Sequence, residues 1–342
     1  MKRHILCGLF ATACLLTSRQ TATAQTAALA ADTLTAMQQE AEQFVRHMPA
    51  GLQDRQTQAI RDALDGRLEP LQAVRQARNT DHPLPDGVRA RYVAPHLRLY
   101  TPDSASTGNP LPLLVYLHGG GWTFGSIQSC ARFCATLAQE ASCLVLAVDY
   151  RLAPEHPYPA PLDDCCQAAA LAHAHAREWG ADPTRISIGG DSSGGNLALA
   201  TALRRQREGQ PPFRSLVLFY PVVKAWNDAS DSWQRYQTGA ALDGSIMDAF
   251  NEAYCQGKQN AEISPAMASD DDLAQLPPTL LIAAERDILY DQGQAFARRL
   301  AGLGVQTTHL TFPATVHLFI TVAGQDCAFR QAVRQTTLFL HK

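Results

Sequence analysis

A serine enclosed by glycines is the first pattern in this chain that could carry chemistry. Residues 190–194 read Gly-Asp-Ser-Ser-Gly, after an apolar strand pattern at 185–188 and before an alanine-rich helical pattern that begins near Gly195. A sharp turn from strand to helix needs glycine around the serine, and it holds the hydroxyl at the positive end of the helix. The pattern predicts Ser192 as a nucleophile, and a glycine-rich turn that serves only packing is the alternative.

Three consecutive glycines form the second pattern. They occur in His-Gly-Gly-Gly-Trp at 118–122, directly after a strongly apolar strand pattern. Such a run lets backbone N–H groups turn toward a ligand, and fixed N–H donors are what the oxyanion of an acyl-transfer intermediate needs. Beside a serine elbow the run predicts an oxyanion hole, and a tight turn without function is the alternative.

The order of helical and strand patterns indicates what positions these residues. Helical spacing dominates the N-terminal section as far as a loop rich in proline and glycine at 81–87. Strands then alternate with helices, and the predicted strands are 97–100, 111–117, 143–148, 185–188, 216–220, 279–284 and 307–312. This alternation predicts an α/β fold with a mostly parallel sheet between helices, in which ligands bind at the carboxyl ends of the strands.

The alternation breaks at about 224–262, a segment that is rich in aromatic residues. We expect this insertion to form a cap over the strand ends together with the N-terminal helices. A decoration away from the site is the alternative. Three of its aromatic residues, Trp226, Trp233 and Tyr236, are candidates to border the substrate pocket.

The first 24 residues follow a different pattern. Lys2 and Arg3 precede an apolar run at 5–16, and Ala-Thr-Ala at 22–24 precedes Gln25. A positive start, a short apolar middle and a small-x-small end predict a secretory signal peptide at 1–24, so we expect export to the periplasm or the extracellular space. A buried N-terminal helix and lipoprotein processing at Cys14 are the alternatives.

Composition excludes several classes of partner for this chain of 342 residues. The formal net charge is −3 and no run of lysine and arginine occurs, so we expect no nucleic acid partner. No stretch reaches about 18 consecutive apolar residues, which argues against stable membrane insertion. Beyond the leader, seven cysteines remain, an odd number in an oxidising compartment, and neither their spacing nor His173-x-His175 is typical of a metal site.

Three blocks taken together resemble the hormone-sensitive-lipase family of α/β-hydrolases. They are the glycine run at 118–122, Asp-Tyr-Arg-Leu-Ala-Pro-Glu-His-Pro-Tyr-Pro-Ala at 149–160, and Gly-Asp-Ser-Ser-Gly-Gly at 190–195. The resemblance covers about 100–342 with the order and spacing of the blocks intact. It implies an α/β-hydrolase fold with a helical cap segment at 25–87 and a catalytic domain at 88–342 that carries the cap insertion.

The resemblance also implies roles for matching residues. Ser192 is then the nucleophile, and the N–H groups of Gly120, Gly121 and Ser193 form the oxyanion hole. His118 is a positioning residue in this motif rather than the base. Block 149–160 is then a structural segment that supports the site.

The acid and the base must follow the serine, because α/β-hydrolases order the triad as serine, acid and histidine. Asp287 comes just after a predicted strand and is the preferred acid, with Glu285 and Asp291 as alternatives. Asp291 is the more natural N-cap of the next helix. His317 follows the last predicted strand and is the preferred base, whereas His309 lies within that strand.

These residues predict an exported serine carboxylesterase that works through an acyl-enzyme, and the resemblance implies short- to medium-chain acyl esters as its substrates. Its partner is a small-molecule ester, and the reaction requires neither a cofactor nor a metal. An amidase, a lactonase or a sugar deacetylase could use the same site. A non-catalytic binding protein is the remaining alternative, but family members of that kind have lost the histidine that this chain carries at 317. The oligomeric state stays open.

Overall fold

The computed structural model describes residues 31–79 and 83–342. The predicted signal peptide at 1–24 and its cleavage after Ala24 lie outside the described residues. None of the described helices is both long and apolar enough to cross a bilayer.

Strands and helices alternate through most of the described chain. The strands are β1 (Val88–Ala94), β2 (Leu97–Pro102), β3 (Leu111–Leu117), β4 (Leu144–Val148), β5 (Ala181–Asp191), β6 (Leu216–Phe219), β7 (Thr279–Arg286) and β8 (Thr307–Val316). The α-helices are α1 (Ala31–His47), α2 (Leu52–Leu64), α3 (Glu69–Arg78), α4 (Ala131–Glu140), α5 (Ala160–Trp179), α6 (Ser193–Arg207), α7 (Asp231–Tyr236), α8 (Gly244–Cys255), α9 (Asp270–Ala274), α10 (Tyr290–Gly302) and α11 (Asp326–Leu340).

The strands form a mostly parallel sheet in the order β1-β2-β4-β3-β5-β6-β7-β8. Only the β1–β2 and β2–β4 pairs among these are antiparallel. The sequence patterns missed β1, because Arg89, Arg91 and Tyr92 are exposed on this edge strand and interrupt its apolar character. The parallel strands from β3 to β8 end at one edge of the sheet, where ligand sites of this architecture lie.

Helices cover both faces of the sheet, which explains the continuous apolar run of β3. Leu113, Val115 and Leu117 lie in a core cluster that includes residues of α5 and α6. Leu114 and Tyr116 lie in a second cluster, which includes residues of α4 and α11. Because successive side chains of a strand point to opposite faces, both sets are buried only if both faces are covered.

The insertion packs its aromatic residues on the loop after β3. Phe250 of α8 meets Phe124 edge to face at 5.3 Å, and Tyr254 stacks on Trp122 with ring centroids 4.4 Å apart. Helix α8 also contacts α2 of the N-terminal section. The division into a cap segment at 25–87 and a catalytic domain at 88–342 stays a prediction.

All seven cysteines beyond the predicted leader carry free thiols: Cys130, Cys134, Cys143, Cys165, Cys166, Cys255 and Cys327. Six of them are buried and Cys166 is half-buried. Burial raises the pKa of the Cys165 thiol well above its ordinary value. A buried thiol of raised pKa acts as a small apolar group in the core.

Candidate active site

Ser192 occupies a strained turn between β5 and α6. Its backbone lies at φ 55° and ψ −118°, a region that residues other than glycine rarely adopt. The chain is crowded here: a Cβ at Gly190 would lie 2.3 Å from the carbonyl oxygen of Leu117, and one at Gly194 would lie 2.0 Å from it. Glycine at both positions lets the turn close against β3 and hold the serine at the helix N-terminus.

His317 connects the predicted nucleophile to the predicted acid. Its Nε2 lies 3.0 Å from Oγ of Ser192, and its Nδ1 lies 2.5 Å from Oδ2 of Asp287. Asp287 and His317 are 1% exposed and Ser192 is 6% exposed. The Leu289 N–H donates to Oδ1 of Asp287 at 2.9 Å, which fixes the carboxylate. The fold therefore joins in one hydrogen-bonded chain three side chains that are far apart in sequence, and their catalytic roles stay predictions.

The alternative acids and the alternative base have other contacts. Glu285 accepts a hydrogen bond from the Ala314 N–H at 2.7 Å, and Asp291 accepts one from the Ser232 N–H at 2.8 Å. The expectation that Asp291 caps α10 is wrong, since the cap residue is Leu289 and Asp291 lies inside the first turn. His309 lies within β8, paired in register with Leu281.

The glycine run forms a tight turn after β3. Gly120 and Gly121 have φ of 122° and 60°, and the Gly120 carbonyl accepts hydrogen bonds from the N–H groups of Thr123 and Phe124 at 3.1 and 2.8 Å. Within the described part of the chain, no group accepts a hydrogen bond from the N–H of Gly120, Gly121 or Ser193. These three predicted oxyanion donors are therefore free to bind a ligand oxygen.

The glycine run is supported by two buried side chains. His118 stacks on Tyr150 at 4.2 Å, and its Nδ1 lies 2.9 Å from the Gly119 carbonyl oxygen. Burial lowers the pKa of His118, which favours the neutral ring. Oδ1 of Asp191 accepts hydrogen bonds from the Tyr116 hydroxyl at 2.8 Å and the Gly119 N–H at 2.9 Å. Asp191 thus ties the serine turn to the start of the glycine run.

The contribution of Asp191 to the stability of the folded state should decrease as the pH rises. Burial raises its pKa from an ordinary value near 3.8 to about 6, against the opposing hydrogen bonds from Tyr116 and Gly119. Between those values the folded chain holds a proton that the unfolded chain has released, so folding is favoured at low pH and this contribution is lost as the pH passes 6. The free energy of unfolding of the wild type, relative to Asp191→Asn, should fall by roughly 2 kcal/mol between about pH 4 and pH 7.

Denaturant unfolding of both proteins across this pH range measures the difference. The other ionisable groups are common to both chains, and the Asn oxygen can keep both hydrogen bonds. A difference that stays flat or rises with pH would contradict this account of Asp191.

Sequence patterns missed the residues that position His317. Tyr220, just after β6, lies with its ring 4.3 Å from the imidazole ring, and its hydroxyl accepts from the Ile320 N–H at 3.1 Å. Gln325 Nε2 donates to the carbonyl oxygens of Val316 and His317 at 3.2 and 3.1 Å. The one available signal was the position of Tyr220 at the end of a predicted strand. Nothing local marks Gln325.

A cavity of about 820 Å³ lies against this site. Gly119 and Leu318 line it, and they adjoin Gly120 and His317 in sequence. Its apolar wall comes from the first three helices, through Phe44, Met48, Leu52 and Val74. The aromatic residues of the insertion that were candidates to border the pocket, Trp226, Trp233 and Tyr236, do not line this cavity.

Comparison with known proteins places the chain among hydrolases. A family model for the α/β-hydrolase fold matches residues 114–321. A protein of Acanthamoeba polyphaga mimivirus named as an α/β hydrolase is 36% identical over 213 residues, 61% of this chain and 61% of its own length. Ethyl acetate hydrolase of Pseudomonas putida is 37% identical over 233 residues, 67% of this chain and 72% of its own length. The structure is similar to that of an ester hydrolase from the metagenome of Lake Arreo, with a TM-score of 0.72 and 30% identity over 92% of this chain and all of that one.

Proposed function

The chain belongs to the α/β-hydrolase family, in its hormone-sensitive-lipase-like branch, and from this membership we propose that it is a serine carboxylesterase. The family resemblance and the fold class predicted from the sequence are thereby confirmed. Relatives named as an ethyl acetate hydrolase and as carboxylesterases support activity on carboxylic esters. The observation that carries the proposal is the position of His317 between Ser192 and Asp287.

The first half of the proposed reaction acylates the serine. Oγ of Ser192 attacks the ester carbonyl carbon while Nε2 of His317 takes the hydroxyl proton. The negative charge moves to the carbonyl oxygen, where the N–H groups of Gly120, Gly121 and Ser193 stabilise it. When the intermediate collapses, the bond to the alcohol oxygen breaks and His317 gives its proton to the leaving alcohol.

The second half returns the enzyme to its starting state. A water molecule attacks the acyl carbon while His317 takes one of its protons. The second tetrahedral intermediate expels Oγ of Ser192, which recovers the proton, and the carboxylic acid leaves. Asp287 keeps the proton of the imidazole on Nδ1 and stabilises the imidazolium that forms in each half.

We propose short- to medium-chain acyl esters as substrates. A relative named as an ethyl acetate hydrolase supports short acyl chains, and the apolar wall beside the glycine run supports an apolar acyl or alcohol group. A series of 4-nitrophenyl esters from acetate to palmitate, hydrolysed by the purified protein, tests this. We expect kcat/KM to peak among the shorter members, and a peak beyond about twelve carbons would contradict the substrate class. Failure to hydrolyse any member would contradict the carboxylesterase itself.

Export through the leader at 1–24 is the last part of the proposal. It is supported by the charged start, the apolar run and the small-x-small end of that segment. Mass spectrometry of the protein from the exported fraction should find Gln25 at the N-terminus, and a chain that retains residues 1–24 in the cytoplasm would contradict export.

A further inference from the structure

Arg78, the last residue of α3, lines the cavity beside the candidate site. It is half-buried, and its guanidinium carbon lies 5.4 Å from the ring centroid of Phe124. Among the described residues, the Arg78 side chain makes no hydrogen bond and no ion pair. Burial lowers the pKa of Arg78, although the Asp191 charge acts in the opposite direction. A cation that is partly removed from water and lacks a directly paired anion is unfavourable unless a ligand supplies one.

The neighbours of Arg78 fix the end of α3 to the loop after β3. One turn earlier, Arg75 donates to the carbonyl oxygens of Thr123 and Ala153 at 2.8 and 2.9 Å and pairs with Glu155 at 2.6 Å. One residue later, Asn79 accepts a hydrogen bond from the Ser126 hydroxyl at 2.7 Å. The backbone of Arg78 is therefore held on both sides, next to the cavity that its side chain lines.

The ionisable side chains that line this cavity are all basic. Besides Arg78 they are His47 and Arg55, and no aspartate or glutamate lines it among the described residues. Arg55 is exposed and donates to the Ala50 carbonyl, and among the described residues it pairs with no carboxylate. Asp191 lies beneath Gly119, and its carboxylate is already bound by the Tyr116 hydroxyl and the Gly119 N–H. The cavity therefore favours a ligand with negative charge.

The same cavity lies beside the predicted reaction centre, because Gly119 and Leu318, which adjoin Gly120 and His317 in sequence, belong to its wall. We infer that an ester whose carbonyl lies at Ser192 extends one of its two sides, the acyl chain or the alcohol, into this space. A carboxylate at the far end of that side would meet the planar guanidinium, which binds carboxylates through two parallel hydrogen bonds.

We propose that Arg78 selects ester substrates that carry a carboxylate. The inference rests on the proposed function and adds the class of substrate to it. The carboxylate belongs either to the acyl part, as in the half ester of a dicarboxylic acid, or to the alcohol part, as in an acylated hydroxy acid. The recognition chemistry is the same for both, and two substrate pairs distinguish them.

The test compares each charged ester with an uncharged analogue of similar shape. For the acyl side, the 4-nitrophenyl half ester of adipic acid is compared with 4-nitrophenyl 6-oxoheptanoate, in which a methyl ketone replaces the carboxylate. For the alcohol side, 4-acetoxybenzoate is compared with 4-acetoxybenzamide. In the wild type the ratio of kcat/KM, charged over uncharged, should exceed one for one of the pairs. A wild type that favours the uncharged member of both pairs overturns the proposal without any variant.

Arg78→Gln should lower this ratio by about 10- to 100-fold, mainly through KM, because a charged hydrogen bond to the substrate is lost. Arg78→Lys should lose less, since it keeps the charge without the planar geometry. Arg91→Gln, on the exposed edge strand β1, removes the same charge far from the cavity and is the matched control.

Three outcomes overturn the proposal: a ratio in Arg78→Gln within about threefold of the wild type for both pairs, an equal fall in Arg91→Gln, or a larger loss in Arg78→Lys than in Arg78→Gln. Hydrolysis of the uncharged esters separates this failure from that of the proposed function. If the wild type hydrolyses them, the proposed carboxylesterase function is supported and only the role of Arg78 is contradicted. If it hydrolyses no ester at all, both proposals are contradicted.

Discussion

Replacement of Ser192 by alanine is expected to lower kcat for 4-nitrophenyl butyrate by about 10⁶-fold, as removal of the nucleophile does in other serine hydrolases. The reason is that, among the residues that the structure describes, the hydrogen-bond partner of Nε2 of His317 is the Ser192 hydroxyl, at 3.0 Å. Spectrophotometry of released nitrophenol measures the loss. A serine-directed phosphonate should label the wild type once and leave the variant unlabelled, as read by intact mass.

Ser193 is the matched control for this substitution, because it is the adjacent serine and could be mistaken for the nucleophile. Ser193→Ala keeps the backbone N–H that is predicted to bind the oxyanion, so most of the activity should remain. If Ser192→Ala kept its activity and Ser193→Ala lost it, the nucleophile would be wrongly assigned. Full activity in both variants would contradict a mechanism that uses a serine nucleophile at this turn.

The second large effect is expected for Asp287→Asn, which should lower kcat by about 10⁴-fold. The Asp287 carboxylate accepts a hydrogen bond from the Nδ1–H group of His317, and this tautomer presents an unprotonated Nε2 to the Ser192 hydroxyl. An amide that donates to Nδ1 stabilises the other tautomer, in which Nε2 carries the proton and cannot act as a base. The loss should appear in kcat with little change in KM, because Asp287 is buried away from the substrate.

Two carboxylates close in sequence provide the controls. Asp291→Asn and Glu285→Gln remove groups whose contacts are the N–H groups of Ser232 and Ala314, and neither group contacts His317. Both variants should lose far less kcat than Asp287→Asn. A loss of about 10⁴-fold in either control, together with an active Asp287→Asn, would assign the acid to the other residue.

The parts of this site that the sequence predicts are those whose chemistry is local. The serine turn and the glycine run are short segments in which backbone crowding restricts the residue types, as the distances from Leu117 to added Cβ atoms at Gly190 and Gly194 show. Asp287 and His317 follow apolar strands, and the parallel arrangement brings strand ends to one edge. The positions of these residues along the chain were therefore enough to suggest that they meet.

Residues that act through contacts distant in sequence were not predictable in this way. Gln325 holds the His317 loop from the start of α11, and Arg78 faces the cavity from a helix with no motif. Strand β1 is paired on one side only, so its apolar pattern is weak. The pocket wall could not be assigned either, because which helices of the cap face the site depends on how α1, α2 and α3 pack on the sheet.

Arg75 has a consequence for engineering the cap. It connects α3 to the Thr123 carbonyl on the loop after β3, which carries the predicted oxyanion donors, and to Ala153 and Glu155 on the loop after β4. The N-terminal helices therefore cannot be exchanged on their own. A chimera that takes them from a homologue must also take the loop after β3 from that homologue, because a mismatch at Arg75 would displace the glycine run and lower activity.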